Sequence, residues 1–213
     1  MIVGLVGFIG SGKGTAGDIL ADHYEFRRDS FAAPLKDAAS SIFGWQRFLL
    51  EGDTSASRVF RETPDEFWSE VMGRPFTPRE ALQKMGTEAI RNVFHNDVWS
   101  RSLERRYCSA MAVDENVRFV VTDVRFNNEA KMIRELGGRI IEVSRGNPPE
   151  WYEYAAQLNE DNNWDGRVQK MSEYPDVHYS EWAWIGSPEI TDVVENNGTV
   201  KDLEESLVEL LDI

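Results

Sequence analysis

Nine residues near the start of the chain, Gly7-Phe8-Ile9-Gly10-Ser11-Gly12-Lys13-Gly14-Thr15, have the types and spacing needed to hold a string of phosphates. Gly7, Gly10 and Gly12 allow backbone conformations and a close approach that a Cβ would obstruct, so successive N–H groups can point at one anionic centre. Lys13 can reach the β- and γ-phosphates of a triphosphate and offset charge that moves during transfer. The apolar run Ile2 to Val6 reads as the strand that leads into this turn, and a helix from Lys13 adds its positive end. The spacing is that of a phosphate-binding loop up to the residue after the lysine. There the usual Ser or Thr, whose hydroxyl ligates Mg²⁺, is Gly14, and the hydroxyl comes one place later at Thr15. Gly10, Ser11, Gly12, Lys13, Gly14 and Thr15 are the expected triphosphate contacts. Mg²⁺ is expected to be held through water, with Thr15 and Asp123 nearby rather than as a direct protein cage. The competing reading is a glycine-rich hairpin without a ligand, against which strand, spacing and lysine act together.

A second set of chemical residues lies at the end of the apolar run Phe119 to Val124. Thr122-Asp123-Val124-Arg125 places an acid at a strand end, where open α/β sheets bind ligands. Asp123 can orient Mg²⁺ or its water shell, Arg125 can neutralise a transferring phosphoryl group, and Glu129 can brace the arginine. A strand-end Asp that caps a turn is the plainer alternative. Arg79, Gln83, Thr87 and Arg91 recur every four residues, along one side of a helix. Two guanidinium groups and an amide there suit a phosphate and a base, and a solvated charged face with Glu80 and Glu88 is the competitor. Lys36 and Arg61 are weaker signals. His178-Tyr179-Ser180-Glu181 lacks a nucleophile elbow and reads as a helix cap or lid anchor rather than as catalytic. Asn196-Asn197-Gly198-Thr199 is a turn with a capping residue, and Asn197 could line an adenine pocket.

These residues need a scaffold, and the chain supplies one by alternating strand-like and helix-like segments. That pattern predicts a three-layer α/β fold around a parallel sheet. Strands are expected at Ile2 to Gly7, Phe26 to Phe31, Phe119 to Val124, Arg139 to Val143 and Glu189 to Val194. Helices are expected at Lys13 to His23, Leu35 to Phe43, Asn127 to Leu136 and Val200 to Leu211, the last with Leu203, Leu207, Leu210 and Leu211 on one face. Two segments break the rhythm. Trp45 to Arg106 reads as mostly helical, with Thr77-Pro78-Arg79-Glu80 as a helix start and Leu82, Met85, Ala89 and Val93 as its buried stripe. Gly146 to Pro188 shows little periodicity and suits a lid that excludes water from a phosphotransfer site.

Composition narrows the partners. At 213 residues the chain is one domain of ordinary size, and a net charge of −14 argues against coating a nucleic-acid polymer. A mononucleotide needs only a local basic pocket. One cysteine, Cys108, excludes an internal disulfide and a multi-cysteine zinc site, so the chain reads as cytosolic. The glycine-broken N-terminus is neither a signal peptide nor a membrane span, and no later apolar run reaches the ~20 residues that crossing needs.

The ordered blocks GFIGSGKGT, FAAPLKDA, RET, PREALQKMGTEAIR, Trp99, VVTDVRFNNEA, HYSE and VENNGT resemble the deoxynucleoside monophosphate kinases of tailed phages, including the T-even type. The likeness covers nearly the whole chain and is weakest over residues 45 to 75 and 146 to 177. It implies transfer of the ATP γ-phosphate to a deoxynucleoside 5'-monophosphate, supplying phage DNA precursors in the host cytoplasm. Lys13 would then stabilise the moving phosphoryl group, while Lys36, Arg61, Arg79, Gln83, Thr87, Trp99, Asp123 and Arg125 would form the deoxynucleotide side, to which the residue patterns themselves add Arg91 and Glu129. It also implies one kinase domain with a core of residues 1–44, 107–145 and 189–213, a substrate-binding insertion over about 45–106 and a lid over about 146–188. Gly10 and Gly14 depart from the T-even loop and resemble the adenylate kinase pattern instead. The shortened middle segment leaves base preference and a homodimer contact open. The rival readings are a phosphomevalonate or dephospho-coenzyme A type kinase and a nucleotide-binding regulatory module without turnover.

Overall fold

Every residue of Ile2–Val6 is buried, as befits the centre of a sheet covered on both faces. In the computed structural model, which describes residues 1–161, 171–175 and 177–213, this strand is β1. It is followed by α1 (Lys13–His23), β2 (Phe26–Asp29), α2 (Ala33–Phe43), a 3-10 turn (Arg47–Leu50), α3 (Ser55–Glu62), α4 (Glu66–Met72) and α5 (Pro78–Gln83). A π-helix (Lys84–Arg91), α6 (Val98–Met111), β3 (Arg118–Val121), α7 (Asn127–Glu135), β4 (Arg139–Ser144) and α8 (Tyr152–Asp161) come next. A 3-10 turn (Tyr179–Glu181), β5 (Asp192–Glu195) and α9 (Val200–Leu211) complete the order. The chain divides into two units, residues 1–30 with 103–213, and residues 31–102.

The first unit carries a five-stranded sheet in the order β2-β3-β1-β4-β5, parallel throughout. The register pairs Gly4 with Val121, Val6 with Glu142 and Ser144 with Glu195. The loops that leave β1, β3, β4 and β5 therefore share one edge. One face of the sheet packs Val3, Leu5, Val120, Ile141, Val143 and Val194 against Ala16, Ile19 and Leu20 of α1 and Leu203, Leu207 and Leu211 of α9. Each fully buried leucine of α9 contributes roughly 1.5–3 kcal/mol of apolar transfer. On α9 the expected stripe is in place, with Leu210 partly buried beside it. Helix α7 packs against β1 and β4 and buries Ala130, Met132 and Ile133, so the α/β architecture expected from the sequence is the one observed.

Several boundaries differ from expectation. Strand β3 ends at Val121 rather than Val124, because the chain leaves the sheet at Thr122 and carries Asp123 and Arg125 beyond its edge. The last strand begins at Asp192 rather than Glu189, since Pro188 lies in a turn closed by the Ile190 N–H on the Ser187 carbonyl at 3.2 Å. The segment expected to be irregular holds α8, where Trp151, just before the helix, and Ala155 and Leu158 within it are buried and stand four and three residues apart. Its Asn, Asp and aromatic composition concealed that period. Residues 162–170 and 176, part of the expected lid, lie outside the described residues.

The second unit is helical and builds its own core from Ala39, Trp45, Leu50, Phe76, Ala81 and Leu82. Phe43 stacks on Trp45 with centroids 4.4 Å apart, and the Trp45 indole donates to Asp65 at 2.9 Å. Helix α5 starts where Thr77-Pro78 predicts, with the Thr77 hydroxyl accepting from the Glu80 N–H at 3.2 Å. Beyond Gln83 the hydrogen bonding widens into the π-helix, shown by the Asn92 N–H donating to the Thr87 carbonyl five residues back. This wider turn changes the buried face. Gly86 is buried and Ile90 half-buried, whereas Ala89 and Val93 of the expected stripe are exposed. Met85 still packs on the core, and the wider turn moves the next inward position from 89 to 90.

Candidate active site

Glycines set the shape of the loop after β1. Gly12 lies at φ 104°, and a Cβ there would stand 2.2 Å from Asn196 Nδ2, so both conformation and space require glycine. Gly7, at φ 140°, would drive a Cβ to 2.4 Å from the Val143 carbonyl oxygen. Gly12 ends the loop as the N-cap of α1 and offers no side chain to cap it. The Ala16 N–H donates to the Gly12 carbonyl at 2.8 Å, so the N–H groups of Lys13, Gly14 and Thr15 precede the first intrahelical bond and can serve an anion.

Lys13 folds back over this loop. Its ammonium donates to the carbonyls of Gly7 at 2.6 Å and Phe8 at 2.7 Å. Burial lowers its pKa, and the neighbouring Arg125 charge lowers it further, to about 8. A cleft formed by Gly7, Phe8, Ile9 and Lys13 of the loop, Thr122 to Arg125 after β3, and Ser180, Glu181 and Trp184 brings these groups together. Its volume of about 70 Å³ accommodates a phosphoryl-sized group and is far below the ~300–1,000 Å³ of sites that enclose whole small molecules. The sheet-edge location, two cations and two carboxylates suit a phosphate with a hydrated hard cation.

Other residues hold this arrangement. The buried Glu129 carboxylate accepts from the Arg125 N–H at 2.8 Å and the Phe126 N–H at 3.2 Å. It thus braces the arginine through its backbone, which fixes the turn and leaves the guanidinium to the cleft. The Arg125 guanidinium donates to Ser180 Oγ at 3.3 Å. Phe8 is gripped edge-on by Trp151 and Trp184, with centroids at 5.5 and 5.1 Å. The Asn197 side chain accepts from the Gly146 N–H at 2.8 Å, linking the loops after β4 and β5. Its neighbour Asn196, not singled out from the sequence, is buried and donates to the Ser11 carbonyl at 2.8 Å. Ser180, Glu181 and Trp184 are further cleft residues that the sequence reading does not single out; the His178 to Glu181 block contains the first two, and nothing local marks Trp184.

In the second unit the expected acceptor residues are arranged around internal partners. Lys36 donates to Glu51 Oε2 at 2.5 Å, Arg47 pairs with the same carboxylate, and Arg61 donates to the Glu51 carbonyl at 3.3 Å. Burial pushes the Glu51 pKa up, but the hydrogen bonds and charges of Lys36 and Arg47 outweigh it, and the net shift is downward. Arg79 pairs with Glu62. Glu80 is held down at about 2 by Arg74 and then Lys84, which makes this part of the surface an ion-paired one. Gln83 and Thr87 are exposed and Arg91 is half-buried. Four residues exceed one α turn but fall short of one π turn, so the two drifts oppose each other and keep Arg79, Gln83, Thr87 and Arg91 on one side. Trp99 donates its indole N–H to the Gly86 carbonyl at 3.0 Å, and a Cβ on Gly86 would meet Leu35 at 2.9 Å. The Pro-Leu-Lys and Gln-x-x-Gly-Thr blocks are thus packed together.

Comparison with known proteins gives the lineage. The family model for deoxynucleotide monophosphate kinase matches residues 49–153. A protein of Acanthamoeba polyphaga mimivirus, named as a deoxynucleotide monophosphate kinase, is 34% identical over 152 residues, covering 68% of this chain and 74% of its own length. The chain belongs to the deoxynucleotide monophosphate kinase family. A second member, deoxynucleoside-5'-monophosphate kinase of Escherichia phage T5, is 28% identical over 184 residues, with 63% of this chain and 72% of that one covered. Shikimate kinase from Aquifex aeolicus aligns over 100% of this chain and 96% of its own, with 15% identity and a TM-score of 0.46. Family membership accounts for the sequence blocks recognised above, and the geometry places the glycine loop and the Asp123–Arg125 turn of this family member beside one cleft. Among the described residues no helix is long and apolar enough to cross a membrane.

Proposed function

We propose that the chain transfers the γ-phosphate of ATP to a 2'-deoxynucleoside 5'-monophosphate, giving ADP and the deoxynucleoside diphosphate. The observation that carries this reading is the meeting of Lys13 and Arg125 in one cleft beside the glycine loop, in a member of the deoxynucleotide monophosphate kinase family. The acceptor is a phosphate oxygen, already largely ionised at neutral pH, so positioning and charge neutralisation do most of the work. The loop N–H groups and the first turn of α1 hold the ATP phosphates, with Ser11, Gly12, Gly14 and Thr15 at that face. Lys13 exchanges its loop carbonyls for the β- and γ-phosphates, and Arg125 neutralises the equatorial oxygens in flight.

The carboxylates of Asp123 and Glu181 line the cleft and suit Mg²⁺, which keeps several waters and binds through one or two carboxylates and the phosphates, whereas Thr15 is exposed on the first turn of α1 outside the cleft lining. Bound with ATP, it would supply charge neutralisation on the β- and γ-oxygens. Asn197 is assigned to the adenine side. Lys36, Arg61, Arg79, Gln83, Thr87, Arg91 and Trp99 are assigned to the deoxynucleotide, with Asp123, Arg125 and Glu129 on the transfer side. The test is ADP release with ATP, Mg²⁺ and each deoxynucleoside and ribonucleoside monophosphate in turn. Stimulation by at least one deoxynucleotide is expected, and it should vanish in Lys13→Ala while circular dichroism stays unchanged. Release no faster with any monophosphate than with ATP alone would overturn the reading.

A further inference from the structure

The 3-10 turn near the end of the 146–188 segment brings a hydroxyl, that of Ser180, to the cleft. Ser180 lies in the 3-10 turn Tyr179–Glu181, whose N-cap is His178. The Ser180 N–H donates to His178 Nδ1 at 3.2 Å, and Ser180 Oγ lies 2.9 Å from the same nitrogen. On its other side Ser180 Oγ lies 3.3 Å from Arg125 Nη1. A guanidinium can only donate, so the hydroxyl accepts from Arg125 and its own proton points to His178 Nδ1. The Ser180 N–H donates to the same nitrogen, so His178 Nδ1 faces both the backbone and the hydroxyl of Ser180. Ser180 Oγ thus bridges the Arg125 guanidinium and the His178 ring.

We infer that Ser180 is a positioning residue for Arg125: its hydroxyl, oriented by His178, holds the guanidinium in the phosphate cleft. The inference rests on the phosphoryl-transfer reading for Arg125, and it gives the His-Tyr-Ser-Glu block a role that capping alone does not. The elements around the turn explain why it can hold a charge in place. Tyr179 packs edge-on against Trp182 at 4.7 Å, and Trp184, three residues on from Glu181, donates its indole N–H to the Glu181 carbonyl at 2.9 Å and packs on Phe8. Arg125 is fixed at its backbone by Glu129, so only the long side chain remains to be ordered, and Ser180 contacts its far end. Ordering that side chain before ATP arrives removes an entropic cost from the transfer step.

The test compares the full-length wild type with Ser180→Ala and Ser180→Thr, each also made in an Arg125→Lys background. Ser180→Ala is expected to lower kcat about ten-fold, the scale of one hydrogen bond to a charged group, with a smaller change in KM for ATP. Ser180→Thr keeps the hydroxyl and should recover most of that loss. In the Arg125→Lys background the forked group is gone, so Ser180→Ala should add little. Affinity for inorganic tripolyphosphate, measured by calorimetry on the same proteins, reads the placed guanidinium even if no monophosphate is phosphorylated. A wild type that phosphorylates none sinks the functional reading, and the tripolyphosphate series then decides the role of Ser180 by the same pattern. Ser180→Ala equal to wild type, a loss that Ser180→Thr does not recover, or an equal loss in the Arg125→Lys background overturns the inference.

Discussion

Lys13 shows how far a single residue can be read. Its place in the glycine loop is written in the sequence, but the carbonyls it occupies and its depressed pKa of about 8 are products of the fold. An unfolded lysine titrates near 10.4, so the folded chain sheds this proton first, and Lys13 adds stability as pH rises from about 8 towards 10.4. Below pH 8 the charged form is buried at a cost. Triphosphate oxygens reverse the balance by favouring the ammonium, so ATP binding above pH 8 should take up a proton. Affinity should then fall with pH, by up to about ten-fold per unit. Calorimetry in buffers of different ionisation enthalpy reads the uptake directly, and none at pH 9 would contradict the assignment. Asn196 is the counterpart that the local sequence did not flag, because its partner Ser11 is 185 residues away. Asn196→Ala leaves a buried carbonyl without its donor and should cost about 1–3 kcal/mol in denaturant unfolding. KM for ATP should rise as well, since the Ser11 peptide is part of the loop that faces the phosphates.

At the scale of elements, β1, α1, α7 and α9 followed from strand runs, glycine stops and apolar stripes. The π-helix did not. A period-four row of Arg79, Gln83, Thr87 and Arg91 reads as an α-helix, and nothing local distinguishes the i to i+5 bonding that the structure adopts. Within this π-helix, Gly86 brings the helix backbone against Leu35, and the Gly86 carbonyl accepts from the Trp99 indole. Gly86→Val should therefore destabilise the helical unit by about 1–3 kcal/mol through overpacking. Trp99→Phe, which removes only the donor, should cost about 1 kcal/mol. Thermal unfolding of both variants checks the order. A fully tolerated valine would show that the close approach to Leu35 is not what shapes this element.

The two units of the whole molecule have cores of different size. Among the described residues, thirteen buried apolar residues cluster on one sheet face of the first unit, against six in the core of the second. Less buried surface means a lower free energy of local opening, so hydrogen exchange should show the amides of β1, β3 and β4 protected to the global limit. Those of α3, α4 and the π-helix should exchange sooner, and nucleotide should slow the amides after Gly7. Equal protection in both units would contradict this ranking. The net charge of −14 belongs to this scale too, and it is compatible with phosphate binding because Lys13 and Arg125 act locally within an acidic body.

The sequence by itself determined the phosphate-binding loop, the alternating α/β order and the family blocks. Each of these is encoded in neighbouring residues, where spacing and periodicity act without knowledge of the fold. Tertiary structure decided which strand ends share an edge and placed Arg125 between Glu129 and Ser180. It also set Asn196 under the loop and widened the helix at Gly86. Those outcomes depend on contacts between residues far apart in the chain, and only packing and hydrogen-bond satisfaction in the folded state select them.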